Sequence, residues 1–223
     1  MHDGLRSLWT AENPPAWPVD EQSVEGTYIL NSTGRRPATQ GIGLEDVGVE
    51  VGRTGIVVDD KCKTNVDGIW ACGDVIGGIQ LAHVATREGI CAVNNMFGRD
   101  DTMSYHAIPG VVYTHPEVAG AGMTEQQLKD AGVAYKEYSI PMGIASRFTI
   151  EHEGVLGVAK VYVGEEDKKI LGLHMIGGPA GELITVAVTM LDKNMTLEDT
   201  EKIVFPHPTI SEVLRELLLL GLH

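Results

Sequence analysis

The sequence predicts an α+β C-terminal domain preceded by a partial α/β segment. Three observations carry this. From about residue 105 onward, β-prone runs and helical patterns are separated by charged turns, which suits an antiparallel sheet covered by helices. Before that point the apolar run Ile69-Trp70-Ala71-Cys72 closes in Gly73-Asp74 and leads into a helical stretch, the order of an α/β unit. Glycine is abundant and aromatic content is only 5%, which fits turn-rich mixed structure better than an all-β sandwich.

The elements follow in order. Residues 1–25 contain Asn13-Pro14-Pro15-Ala16-Trp17-Pro18, whose prolines exclude regular helix and most central strands, so this part reads as loop. Residues 27–31 are a short β-prone run, closed by the turn-like Ser32-Thr33-Gly34-Arg35-Arg36-Pro37. Ile56-Val57-Val58 is a second β-branched run, and residues 68–73 form a short apolar strand ended by glycine. Residues 81–97 turn helical, with Ala82, Ala85, Ile90, Val93 and Phe97 as the expected apolar stripe. The polar, acidic residues 98–104 mark a domain boundary. Val111-Val112-Tyr113 then reads as a strand. Thr124 with Gln127 is a capping-box pattern that opens a short helix ending near Gly132. Residues 154–163 and 170–176 read as strands around the charged turn Glu165-Glu166-Asp167-Lys168. Residues 180–191 form a helix whose small apolar side chains imply burial. Thr196 caps a short helix through Ile203, and Thr209 starts the last helix, with residues 217–220 as its buried face. No internal repeat is present.

Composition narrows the function. The net charge of −14 repels phosphate backbones and anionic lipid, so nucleic acid and membrane surfaces are poor partners. No apolar stretch approaches the roughly 20 residues that span a bilayer. Residues 1–17 lack a basic region followed by an apolar run, so no signal peptide is expected. Cys62, Cys72 and Cys91 lie far apart, and an odd count fits reduced thiols in the cytoplasm. No metal-ligand spacing appears among Cys and His.

Two segments carry chemistry. An aspartate just past a buried strand, Asp74, sits where α/β folds bind ligands, and Gly73 lets the backbone approach closely. The helix opening near Leu81-Ala82-His83 would aim free N–H groups at an electron-rich acceptor. Taken alone, Gly73-Asp74 reads far more readily as a strand end and turn. The second segment is His207-Pro208-Thr209-Ile210-Ser211-Glu212. With Thr209 as N-cap, Glu212 falls at the third helical position, a capping box. Alternatively Glu212 holds His207 in one tautomer and His207 exchanges a proton with a thiol. Spacing leaves both readings open.

Thr64, followed after four residues by Ile69-Trp70-Ala71-Cys72-Gly73-Asp74, resembles the second flavin fingerprint of the pyridine nucleotide–disulfide oxidoreductases. Ser32-Thr33-Gly34-Arg35-Arg36-Pro37 resembles that family's junction between nicotinamide and flavin domains. The resemblance continues in the family's order through Leu81-Ala82-His83, Glu88-Gly89, Tyr113-Thr114-His115-Pro116-Glu117-Val118-Ala119 and Gly178-Pro179-Ala180-Gly181-Glu182-Leu183. Within the family these motifs look most like the dihydrolipoamide dehydrogenases, with the glutathione reductases as the nearer competitor.

The resemblance implies a remnant of the nicotinamide domain and junction at residues 1–40 and a partial FAD-binding segment at 41–104. A dimerisation (interface) domain follows at 105–223. It implies FAD and NAD as cofactors of the complete enzyme, with poor binding by this chain alone. It implies a homodimer through the C-terminal domain, with residues 180–191 and 217–220 supplying apolar surface. Dihydrolipoamide or a lipoyl-bearing protein is the implied substrate. By the same resemblance His207 is the acid/base and Glu212 its orienting carboxylate. Gly73 and Asp74 meet the ribityl chain, Gln80, Leu81, Ala82 and His83 line the flavin, and Gly34 lies by the nicotinamide cofactor. The chain departs from the family in lacking a Cys-x-x-x-x-Cys pair, the first flavin fingerprint and Gly-x-Gly-x-x-Gly. Phe205 stands where dihydrolipoamide dehydrogenases often carry histidine, and Asn31-Ser32 replaces more apolar residues. The expectation is therefore the C-terminal portion of a flavin-dependent disulfide oxidoreductase, inactive alone. The competing expectation is a non-catalytic, truncated dimerisation module.

Overall fold

A two-stranded hairpin and a five-stranded antiparallel sheet organise the chain. The computed structural model describes Tyr28 and residues 30–222. The proline-rich residues 1–25, and Thr27 and Ile29 of the expected first strand, lie outside that range; Tyr28, Leu30 and Asn31 are exposed and irregular. The chain divides into two compact units, residues 1–35 and 36–223. In the first, the Asn31 side-chain oxygen accepts from the N–H and hydroxyl of Thr33, at 3.3 and 2.9 Å, closing a turn ahead of Gly34.

The second unit opens with the short helix α1 (Leu44–Val47) and the hairpin β1 (Val51–Gly52) and β2 (Gly55–Ile56). Of the run Ile56-Val57-Val58 only Ile56 pairs as strand. The hairpin seats on a 3₁₀ turn, Gly73–Ile76, through two glycines. A Cβ on Gly77, which sits at φ 77°, would run into the Thr54 carbonyl oxygen, and one on Gly55 into that of Val75.

Ile69-Trp70-Ala71-Cys72 is not a strand, contrary to the sequence expectation. It is one arm of a narrow turn: Ala71 N–H donates to Cys62 O at 3.0 Å, Thr64 N–H donates to Ile69 O at 3.1 Å, and Lys63 bridges Trp70. A parallel strand needs neighbours along its edges, and among the described residues this arm has only the antiparallel one.

Helix α2 (Ala82–Met96) has the expected extent but not the expected stripe. Its buried side is Val84, Glu88, Cys91 and Ala92, spaced i, i+4, i+7, i+8. Ile90, Val93 and Phe97 are exposed. The helix is apolar on two sides, and periodicity cannot choose between them. The choice is made by the segment that follows. Asp101 takes both Arg87 amino groups at 2.5 and 3.0 Å and the Asn94 amide at 2.8 Å, and Asn95 donates to the Asp101 carbonyl at 2.7 Å. These bonds draw Met103 under the helix beside Cys62, Cys91 and Trp70.

The large sheet comprises β3 (Gly110–Val112), β4 (Val118–Gly122), β5 (Tyr135–Pro141), β6 (Val158–Gly164) and β7 (Ile170–Ile176), in the order β3-β4-β7-β6-β5. The sequence reading anticipates β3 and β7 and starts β6 four residues early. It misses β4, whose Val-Ala-Gly-Ala-Gly has little β-propensity, and β5, an edge strand of mixed polarity. Helix α3 (Glu125–Asp130) begins at the expected Thr124–Gln127 capping box, both halves of which form. Helix α4 (Ser146–Glu151) is unanticipated.

One face of the sheet is the core. The cross-strand rows Ala119–Met175–Ala159 and Ala121–Leu173–Val161 are buried. Helices α5 (Ala180–Asp192) and α7 (Glu212–Leu220) cover them, with α6 (Leu197–Thr200) between, opened by the Thr196–Asp199 capping box and ending short of Ile203. On the other face the in-register row Val112–Val118–Ile176–Val158 stays exposed. The apolar surfaces expected to drive association are therefore spent within one chain. Leu183, Ile184, Ala187, Met190, Leu217 and Leu218 are all buried, and of the Leu run only Leu220 is substantially open. Two quoted motifs meet here: the Glu117 carboxylate accepts the Gly181 N–H at 2.8 Å, placing negative charge at the N-terminal end of α5.

Candidate functional site

His207 and Glu212 form a pair. His207 Nδ1 lies 2.8 Å from Glu212 Oε1, while Glu212 Oε2 accepts the Thr209 N–H at 3.0 Å. Helix α7 starts at Glu212, after Ser211, and Thr209 is not its N-cap. The Thr209 hydroxyl donates to Pro206 O at 2.7 Å instead, so only the glutamate half of the capping box forms. Glu212 thus divides its oxygens, Oε1 to His207 and Oε2 to the Thr209 N–H. The Thr209 N–H first, and His207 second, hold the Glu212 carboxyl below the usual glutamate range. An ionised Glu212 accepts from Nδ1–H, which leaves the Nε2 lone pair of a neutral ring free to take a proton. The His207 side chain is 76% exposed and that of Glu212 19%, so a sheltered, anchored carboxylate holds an imidazole that is open to solvent. Beside it runs an open groove of about 530 Å³ lined by Ser146, Arg147, Ile150, Glu151, His207 and Pro208. Its α4 wall is missed by sequence reasoning, because residues 146–151 show no helical stripe long enough to read.

The second cluster surrounds the 3₁₀ turn. Gly73 has φ 79°, and Asp74 is half-buried. The Gln80 amide nitrogen reaches Asp74 O at 3.5 Å. Leu81 is the N-cap of α2, and no side chain caps the helix. The first N–H groups of Ala82 and His83 thus stand at a positive helix end with no side-chain acceptor among the described residues, a fit for an electron-rich ring edge. His83 Nε2 is bonded to Pro109 O at 2.9 Å. Gly34, at φ 93°, belongs to the first unit. The described hydrogen bonds do not join the Gly73–His83 cluster to His207 and Glu212.

Two residues of the second cluster carry no role in the sequence reading. Glu88, 2% exposed, accepts the Gly73 N–H at 2.6 Å and the Tyr105 hydroxyl at 2.9 Å. The signal was a carboxylate inside the stripe Val84, Glu88, Cys91, Ala92. The cysteines are free, with Cys62 and Cys91 buried and Cys72 exposed. Burial pushes the Cys62 thiol up to about 12, which keeps it protonated and unreactive. Among the described residues no group of three or more His, Cys, Asp or Glu could hold a metal ion. No helix among them is long and apolar enough to cross a membrane.

Comparison with known proteins assigns the chain's family. Residues 18–89 match the family model described as pyridine nucleotide-disulphide oxidoreductase, and residues 108–218 match that family's dimerisation domain. The chain is 41% identical over 203 residues to dihydrolipoyl dehydrogenase 1, mitochondrial, of Arabidopsis thaliana, covering 91% of this chain and 40% of that protein. It is 41% identical over 211 residues to the mitochondrial dihydrolipoyl dehydrogenase of Caenorhabditis elegans, covering 94% of this chain and 42% of that protein. Among solved structures, LpdA from Mycobacterium tuberculosis superposes with a TM-score of 0.84 at 26% identity, over 90% of this chain and 44% of that one. The chain thus spans well under half the length of the relatives it matches. Two successive models of one family account for the Gly73–Asp74 segment and the five-stranded domain, and the chain belongs to the pyridine nucleotide–disulfide oxidoreductases.

Proposed function

We propose that this chain is the C-terminal portion of a dihydrolipoamide dehydrogenase, which oxidises dihydrolipoamide or a lipoyl-bearing protein with NAD. The observation that carries this reading is the 2.8 Å His207–Glu212 bond, which leaves Nε2 as a poised base. His207 Nε2 takes a proton from the substrate thiol, Glu212 stabilises the resulting imidazolium, and the same nitrogen returns the proton. FAD, when bound, supplies the electron relay between the sulfur centre and the nicotinamide. Asp74 would accept from a ribityl hydroxyl, and the N-terminal end of α2, with Gln80, Leu81, Ala82 and His83, would border the ring. Gly34 would contribute to the NAD site. The same reading divides the chain into a junction (1–40), a partial FAD-binding segment (41–104) and an interface domain (105–223). It forms a homodimer through the last of these, in the cytoplasm.

A second reading, a non-catalytic dimerisation module, is favoured by one observation: Cys62, Cys72 and Cys91 include no pair with the Cys-x-x-x-x-Cys spacing, and Cys62 and Cys91, although packed in one buried cluster, are free thiols. An FAD titration followed by flavin fluorescence separates the two. The flavoenzyme reading expects weak, saturable binding that is lost in Asp74→Ala. A flat, colourless titration favours the module. Neither reading expects dihydrolipoamide:NAD turnover from the chain alone.

A further inference from the structure

The apolar stripe of α2 is interrupted by one carboxylate. Glu88 is 2% exposed among Val84, Cys91 and Ala92, where leucine would complete the packing. Burying a charge is costly unless it is hydrogen-bonded. Both Glu88 oxygens are used: Oε2 accepts the Gly73 N–H at 2.6 Å and Oε1 the Tyr105 hydroxyl at 2.9 Å. Burial, and then Glu88 itself, push the Tyr105 phenol well above its usual range, so it remains a donor. Gly73 is held at φ 79° immediately before Asp74, and Glu88 lies under two turns from the uncapped start of α2 at Ala82. One side chain therefore ties the loop that presents Asp74 to the helix that presents free N–H groups. Tyr105 ties both to the segment leading into the sheet.

We infer that Glu88 is a positioning residue for flavin binding, a clasp that fixes Asp74 relative to the N-terminus of α2. The inference rests on the flavin reading above. Glu88 touches no cofactor atom; it acts through the Gly73 amide.

The test uses the full chain with Glu88→Gln, Glu88→Leu and Tyr105→Phe. Two quantities are read: exchange of the Gly73 amide proton without cofactor, and FAD affinity by fluorescence titration. Glutamine keeps both bonds, its oxygen accepting from Gly73 and its amide donating to a rotated Tyr105 hydroxyl. It should stay within about threefold of wild type in both readouts, whereas leucine should speed Gly73 exchange and weaken FAD binding by about tenfold or more. FAD affinity unchanged in Glu88→Leu overturns the inference even if exchange rises, because Glu88 is then structural only. Glutamine behaving like leucine overturns it as well. If Glu88→Leu shows no cooperative unfolding, Tyr105→Phe decides. Parallel loss of Gly73 protection and FAD affinity supports the clasp, and no change in either overturns it. A wild-type chain without saturable FAD binding overturns the flavin reading and the cofactor half of the inference. The exchange ratios then still decide whether Glu88 holds Gly73.

Discussion

At the scale of single residues, Glu212 joins structure to chemistry with its two oxygens. Its ionised form is favoured in the folded chain by the Thr209 N–H and then by His207. Because the folded value lies below the unfolded one, this stabilisation is fully present above the unfolded glutamate value, about 4.3. It is lost as pH falls through the lower folded value. Glu212→Gln should therefore be less stable than wild type at pH 5, and the difference should shrink in more acid solution. Urea midpoints for both chains measured downward from pH 5 check this; a gap that widens with acid would refute it. Nitrogen NMR of His207 should also show the Nδ1–H form dominant in wild type and a mixture in the variant. A spacing of five residues put this pair within reach of one local turn but left it open beside a capping box; the family resemblance is what singled it out. Glu88 and Gly73 are fifteen apart, joined only by how α2 folds back, so the bond was invisible although both residues had been quoted.

At the scale of elements, legibility followed locality again. The Thr124–Gln127 box was anticipated in full, since capping depends on four consecutive residues. Thr124→Ala should lower stability by about 1 kcal/mol, measured by chemical denaturation, with no effect expected outside that margin on α2. The apolar stripe of α2 was misplaced because the helix offers two candidate faces. Asp101, with Arg87, Asn94 and Asn95, selects one of them. This correction makes a sharp contrast. Val84→Ala, on the buried side, should cost on the order of 1–3 kcal/mol, and Val93→Ala, half exposed, should change stability by no more than about 0.5 kcal/mol. The reverse ranking would restore the original stripe. The missed strands β4 and β5 have a related cause. Glycine and alanine in β4 carry no strand signal, yet β7 and β3 pair along both its edges, and tertiary pairing overrides propensity.

At the scale of the whole molecule, the sheet and its helices form one continuous core, and its buried rows consume the apolar sides of α5 and α7. Residues 108–218 nevertheless match a dimerisation domain. The homodimer proposed above would then use side chains that remain outside that core, such as Val112, Tyr113, Ile150 and Val204. Sedimentation at concentrations on the order of tens of micromolar should show dimer; monomer alone would count against it.

The segment around α2 is built differently from the sheet, and the difference predicts uneven stability. Among the described residues its apolar cluster is Cys62, Cys91, Ala92 and Met103 with Trp70 packed against it, and the Trp70 indole N–H is buried without a partner. Ile69-Trp70-Ala71-Cys72, expected as a buried strand, is paired among the described residues along one side only, through Ala71 N–H to Cys62 O and Thr64 N–H to Ile69 O. By contrast β7 is bonded along both edges, to β4 and β6, and Leu173 and Met175 are buried beneath the helices. Local opening frees the weakest cooperative unit first. The amides of Ile69, Trp70, Ala71 and Cys72 should therefore exchange on the order of a hundredfold faster than those in the centre of β7. Hydrogen exchange resolved by residue measures this directly. The Gly73 amide, held by Glu88, should be the slowest of its neighbourhood and still faster than Leu173. Equal, strong protection in both segments of a monomer without cofactor would mean that the small cluster and the Asp101 bonds suffice to weld the two cores into one cooperative unit.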